Sequence, residues 1–255
     1  MGKNREWIQA TLAHRATGAV PYNLPFTPHA ATLLKQHLGV ENLAEAFDVP
    51  LRMNSTKSIK PLYADPVEFG PLARDEFGVT WATSAIDRGS PTGLALPEPT
   101  LKGYAFPPAD PAYRYEDLGA WCAENREHFT KIWVGDLWER ATFMRGMENI
   151  LLDLVLHRRF VEELLRCLAD RILATLTILF ARFEFDAIAV SDDYGAQRSL
   201  LMSPADWRQL IRPLLAEIYA FARKHGRTVF HHSCGHVTPI IPDLIEIGLD
   251  ILHPI

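Results

Sequence analysis

Cysteine is scarce in this chain: Cys122, Cys167 and Cys234 are the only three in 255 residues, and they lie far apart. That spacing excludes a disulfide framework and leads us to expect a reducing, cytoplasmic setting. There is no basic excess either. Lysine and arginine number 26 against 31 aspartates and glutamates, so a nucleic-acid partner is not expected. Long apolar runs are missing as well. The most apolar stretch, "LADRILATLTILFARF" (168–183), is cut by Asp170 and Arg171 and is too short for a bilayer. The N-terminal "MGKNREWIQATLAHR" mixes charged and apolar residues as an amphipathic helix does, unlike a signal peptide. No glycine-rich phosphate loop follows any expected strand: "SDDYGAQ" and "SCGHVTP" match neither G-x-G-x-x-G nor G-x-x-x-x-G-K. Neither an internal repeat nor a low-complexity linker divides the chain, so a single domain over 1–255 is expected.

What is present is a chain with 48% hydrophobic and 22% charged residues, enough to build a sizeable core. Residues 1–116 read as irregular. A helix over about 4–15 precedes a strand near 20–24, and recurrent Pro and Gly then mark loops and short hairpins, with strands in "GVTWAT" and "GLALPEP". From 117 the pattern becomes regular. Helix 117–129, strand 131–137, helices 138–145, 147–156 and 158–184, and strand 186–191 follow in turn. Ser203, Pro204 and Asp206 then open a helix whose apolar face runs from Trp207 to Phe221 and stops at Gly226. Strand 228–234, a helix with Thr238 as cap and Gly248 as stop, and strand 249–255 complete the pattern. Strand–helix alternation with polar residues at successive strand ends predicts a parallel α/β fold. The reading we favour is a TIM (β/α)8-type barrel, with a doubly wound sheet as the alternative. Only five core strands can be counted, and the chain stops at "HPI", so the barrel is expected to be C-terminally incomplete.

The chemistry gathers in "TVFHHSCGHVTP" (228–239), which puts three histidines and a cysteine into six positions. Residues two apart on a strand share a face, so His232 and Cys234 project together while His231 and Ser233 turn toward the helices. Imidazole nitrogen and thiolate sulfur are favoured zinc ligands. The spacing alone equally suits a strand end with a hydrogen-bonded histidine and a buried cysteine. His236 could orient a ligand, and His253 could wall the same pocket. "VSDDYG" adds Asp192 and Asp193 as catalytic candidates, of which strand parity lets one face the pocket, with Tyr194 as a hydrogen-bond donor. Tyr22 and Asn23 on the first expected strand, and Asp136 at the end of "IWVGD", are further candidates for the mouth of the pocket.

"SPADWRQLIRP" (203–213) and "HHSCGHVTPIIPDLIEIGLDIL" (231–252) resemble the uroporphyrinogen decarboxylase superfamily, and the resemblance extends over roughly 117–255. It implies a TIM barrel and one of two activities. The decarboxylase branch binds its poly-carboxylate tetrapyrrole through an Arg-Gln-Ala-Gly-Arg stretch after the first strand. Here that place reads "YNLPFTPHA", without an arginine. The other branch comprises zinc-dependent methyltransferases with an H-x-C pair and a later cysteine as ligands. By this resemblance His232 and Cys234 are metal ligands, and the third protein ligand is not in this chain. The implied reaction moves a methyl group between a corrinoid on a partner protein, or a methylated substrate, and a thiol. Asp193, Asp192, Tyr22, Asn23, Tyr194 and His253 would line the substrate cavity. Tetrapyrrole decarboxylation, and an inactive fragment or binding protein, are the alternatives.

Overall fold

The computed structural model describes residues 3–254. Its first half holds α1 (Lys3–Leu12), α2 (Pro28–Leu38), α3 (Leu43–Ala46), β1 (Leu51–Ser55), α4 (Pro66–Phe69), β2 (Leu72–Arg74), β3 (Thr80–Ala82), β4 (Ser90–Gly93) and α5 (Leu118–Glu124). The second half runs β5 (Phe129–Gly135), α6 (Trp138–Arg145), α7 (Met147–Leu156), α8 (Arg158–Arg182), β6 (Ala187–Ser191), α9 (Pro204–Leu210), α10 (Arg212–Lys224), β7 (Thr228–His232), α11 (Ile241–Glu246) and β8 (Ile251–His253). None of these helices is long and apolar enough to cross a membrane.

The main sheet is parallel, in the order β1-β5-β6-β7-β8, and β2-β3-β4 form a separate antiparallel sheet. The main-sheet strands lie side by side in chain order with no reversal, unlike a doubly wound sheet with its switch point. The fold is therefore mixed α/β with a parallel five-stranded sheet, compatible with a TIM-type fold.

Strand parity divides the sheet into two apolar faces. Ile132, Val134, Ile188, Val190 and Val229 point outward into the core shared with α8 and α10, which bury Leu164, Leu168, Ile172, Leu215 and Ile218. Cutting such a side chain back to alanine typically costs about 2–5 kcal/mol. The opposite face carries Phe129, Lys131 and Trp133 on β5, with Phe230 and His232 on β7. Helix α1 closes its lower end, where Ile8 packs on Phe129 and Ala187. Arg5 fixes that helix with a 2.7 Å ion pair to Asp186, whose other oxygen accepts the Thr130 amide at 2.9 Å.

Several expectations are corrected. Residues 20–24 form no strand, because Pro21 and Pro25 remove ladder donors and Pro28 opens α2 behind the Thr27 cap. The strand beside β5 is instead Leu51–Ser55. Of "GLALPEP", only Gly93 is in a strand. The helix expected from Ser203 to Gly226 is two. Ser203 does cap the first, accepting the Asp206 amide, but Pro213 lacks an N–H and its ring excludes the carbonyl four residues back, so the chain breaks at Ile211. Thr238 caps nothing with its side chain and instead starts a 3-10 turn that leads into α11. Of the strand expected over 249–255, residues 251–253 are confirmed, and Ile255 lies outside the described residues.

Candidate functional site

The site is built where the chain leaves β6 and β7. At these exits Gly195 and Gly235 pass backbone to backbone, and a Cβ on Gly235 would stand 2.1 Å from the Gly195 carbonyl oxygen. Gly235 is also held at φ +80°. Only glycine permits both the approach and the angle. The contact lays the two loops side by side, and Asp193 Oδ1 accepts the Cys234 amide at 2.8 Å.

Asp193, His232 and Cys234 thereby converge, with their donor atoms all within 4.8 Å of one another. His232 Nε2 is 3.3 Å from Cys234 Sγ and 3.4 Å from Asp193 Oδ1. Ligands of a tetrahedral zinc lie about 3.4–3.6 Å apart, given bond lengths of about 2.0–2.3 Å. The two distances from His232 are close to that separation. The ring's other nitrogen, Nδ1, lies 2.8 Å from His253 Nδ1. One of the two donates to the other, which fixes the ring and leaves Nε2 turned toward the cluster.

Electrostatics separate this cluster from a nucleophilic cysteine site. Partial desolvation of its sulfur and the neighbouring Asp193 carboxylate push the Cys234 thiol above its ordinary range, although the residue is exposed. A thiol so placed stays protonated unless a cation joins it. Asp193 is held low by its contact with His232, with help from the Cys234 amide, and so supplies an ionised oxygen.

The remaining candidates take other places. His231 is wholly buried on the helix side, with Nδ1 2.6 Å from the Tyr219 hydroxyl and its ring stacked on Tyr194. Asp192 does not line the pocket. It is fully buried and accepts the amides of Leu137 and Glu139 and the Tyr194 hydroxyl at 2.8–3.0 Å, fastening the start of α6. Burial pushes its pKa up, and the Glu139 amide, Tyr194 hydroxyl and Leu137 amide oppose that shift. Tyr194, also buried, stands behind the site with Asp192 rather than in it. Tyr22 hydrogen-bonds the Phe47 carbonyl, and neither it nor Asn23 lies on a strand of the sheet, so the expected mouth at the first strand is not formed there. Asp136 pairs with Arg140 at 3.2 Å, and His236 is exposed.

The structure adds residues that the sequence reading passed over. Glu139, at the head of α6, pairs with Arg88 at 2.5 Å and lies near Ser191. The Trp133 ring is 6.2 Å from that of His232, and Phe230 is 5.5 Å from His253. Lys131 is buried below them with its Nζ 3.3 Å from the Phe230 ring centre. Parity on "FTKIWVG" was the available signal, since it puts Lys131 and Trp133 on one face.

A parallel α/β sheet with one acid, one imidazole and one thiol converging at adjacent strand ends defines a class of protein able to hold a metal at the carboxyl face of its strands. Residues 135–254 match the family model described as uroporphyrinogen decarboxylase (URO-D), so the chain is consistent with a URO-D superfamily protein. The match covers α6 through β8 and includes all three residues of the cluster. No curated protein matches the chain.

Proposed function

We propose that this chain is a zinc-dependent methyltransferase of the URO-D superfamily, built on a TIM-type barrel, which moves a methyl group between a corrinoid or methylated substrate and a thiol. The observation that carries this reading is the spacing of Asp193, His232 and Cys234. When bound, zinc would hold a substrate thiol as thiolate, raising the fraction of nucleophile near neutral pH. His232 and Cys234 would be two of its ligands. Asp193 offers a third donor from within the chain, in place of the later cysteine that the resemblance implies. His253 orients His232, and the Asp193 carboxylate positions Cys234 through its amide. Asp192 and Tyr194 support the site from behind by holding α6. Cys234 is exposed, which suits a methyl carrier presented by a partner protein.

The family model's own description favours a second reading, decarboxylation of a tetrapyrrole. A substrate with many carboxylates needs several free cations. Near the cluster, Arg88 is already paired with Glu139 and so is not free to bind such a substrate. The two readings separate in one comparison. The zinc-loaded protein is incubated with methylcobalamin and 2-mercaptoethanol, and separately with uroporphyrinogen. Corrinoid demethylation without carbon dioxide release supports the first reading, and the reverse result replaces it with the second.

A further inference from the structure

We propose that Lys131 is the anion-recognising residue at the floor of the pocket, binding the carboxylate of a small substrate whose reacting end lies at His232 and Cys234. The proposal takes from the preceding section only the identity of that reacting end.

Lys131 stands in the middle of β5 with 2% of its surface exposed. Among the described residues its Nζ has no hydrogen-bond acceptor and no ion pair. Its Nζ lies over two ring faces, Phe230 at 3.3 Å and Trp133 at 5.8 Å. Ring faces attract a cation but leave three N–H donors without lone pairs. A buried cation with no anion is costly, and a methionine would fill the same space without that cost. Burial lowers Lys131 to about 7.

The amine is aimed at the candidate site. The Phe230 ring centre is 3.3 Å from Lys131 Nζ and 5.5 Å from the His253 ring, whose centre is in turn 5.0 Å from that of His232. The other direction is closed, because Phe129, two residues earlier on the same face, packs against Ile8 of α1. A ligand descending from the His232 end would therefore meet Lys131 last, beyond the rings of Trp133 and Phe230. A carboxylate is the group that would satisfy its donors there. The substrate class is thus a small carboxylic acid that carries a thiol, or the methylated group, at its other end.

The test uses zinc-free wild-type protein labelled with [13C]lysine, and follows the Lys131 Cε resonance at constant pH. Lys131→Met identifies the signal, as does its outlying titration if the variant does not fold. The probes are 3-mercaptopropionate and the uncharged 2-mercaptoethanol. The carboxylate is expected to move the Lys131 signal toward its protonated position and the uncharged thiol to leave it in place. In binding measurements, Lys131→Met is expected to weaken 3-mercaptopropionate about tenfold or more and to leave 2-mercaptoethanol within about twofold. A Lys131 signal unmoved by the carboxylate, or moved equally by both probes, overturns the proposal. Zinc uptake by the same sample reports on the metal reading separately.

Discussion

Replacing Lys131 with methionine should stabilise the protein at neutral pH, although it removes a residue from the pocket. The folded protein holds this amine at about 7 against 10.5 in a free chain. That gap of about 3.5 units, at about 1.4 kcal/mol each, corresponds to about 5 kcal/mol of folding energy withheld by the buried amine, or about 4 kcal/mol at pH 7 itself. Loss of the contact with the Phe230 face returns about 0.5–2 kcal/mol, so the net gain should be about 2–4 kcal/mol. The pH dependence follows in sign. Between about pH 7 and 10.5 the unfolded chain keeps its proton while the folded one has released it, so wild-type stability rises with pH over that window. The variant lacks this rise, and the difference between the two should shrink as pH increases. Urea unfolding of both proteins across this range measures it. A variant less stable than wild type at pH 7, or a difference that stays constant with pH, would refute a buried and unpaired Lys131.

Three further perturbations test the supporting structure. Asp192→Ala leaves the Leu137 and Glu139 amides and the Tyr194 hydroxyl buried without an acceptor, and should cost about 3 kcal/mol or more in denaturant unfolding. His231 is held neutral, with its pKa lowered to about 3 by burial, so the folded state loses stability as pH falls from about 6.5 toward 3. That loss amounts to as much as about 4–5 kcal/mol, and His231→Gln should flatten it in acid-unfolding curves. Gly235→Ala forces a methyl group onto the Gly195 carbonyl and should cost several kcal/mol, or about 1–3 kcal/mol from the backbone angle alone. Calorimetry should show a lowered Tm, and a variant as stable as wild type would mean that the two loops are not in contact.

The second half of the fold was legible because its signals are local. The apolar run in "DAIAVS" marked a strand covered on both faces, and Ser203-Pro204 marked the start of a helix. Pro213 was equally visible, but the apolar face running across it on either side masked the break. In the first half the apolar content of "AVPYNLPF" suggested a strand, yet its two prolines, with Pro28 just beyond, outweighed it. The strand that pairs with β5, "LRMNS", alternates weakly and owes its conformation to Phe129–Trp133 beside it rather than to its own propensity. Parity separated His232 from His231, and it showed that Asp192 and Asp193 diverge without showing which of the two meets the cluster. It could not show Asp193 and Cys234 meeting, because that depends on two glycines 40 residues apart approaching through space. Lys131 was missed for a different reason. In a strand expected to be buried it read as part of an apolar run, although a lysine at such a position is itself the anomaly.

Stoichiometric metal analysis of the purified full-length protein against its Cys234→Ser variant tests the central claim most directly. The account predicts close to one zinc per wild-type chain, with strong depletion in the variant and an unchanged fold by circular dichroism. A wild-type protein that carries no zinc after loading and dialysis, or a variant that retains it fully, would contradict a metal site at Asp193, His232 and Cys234.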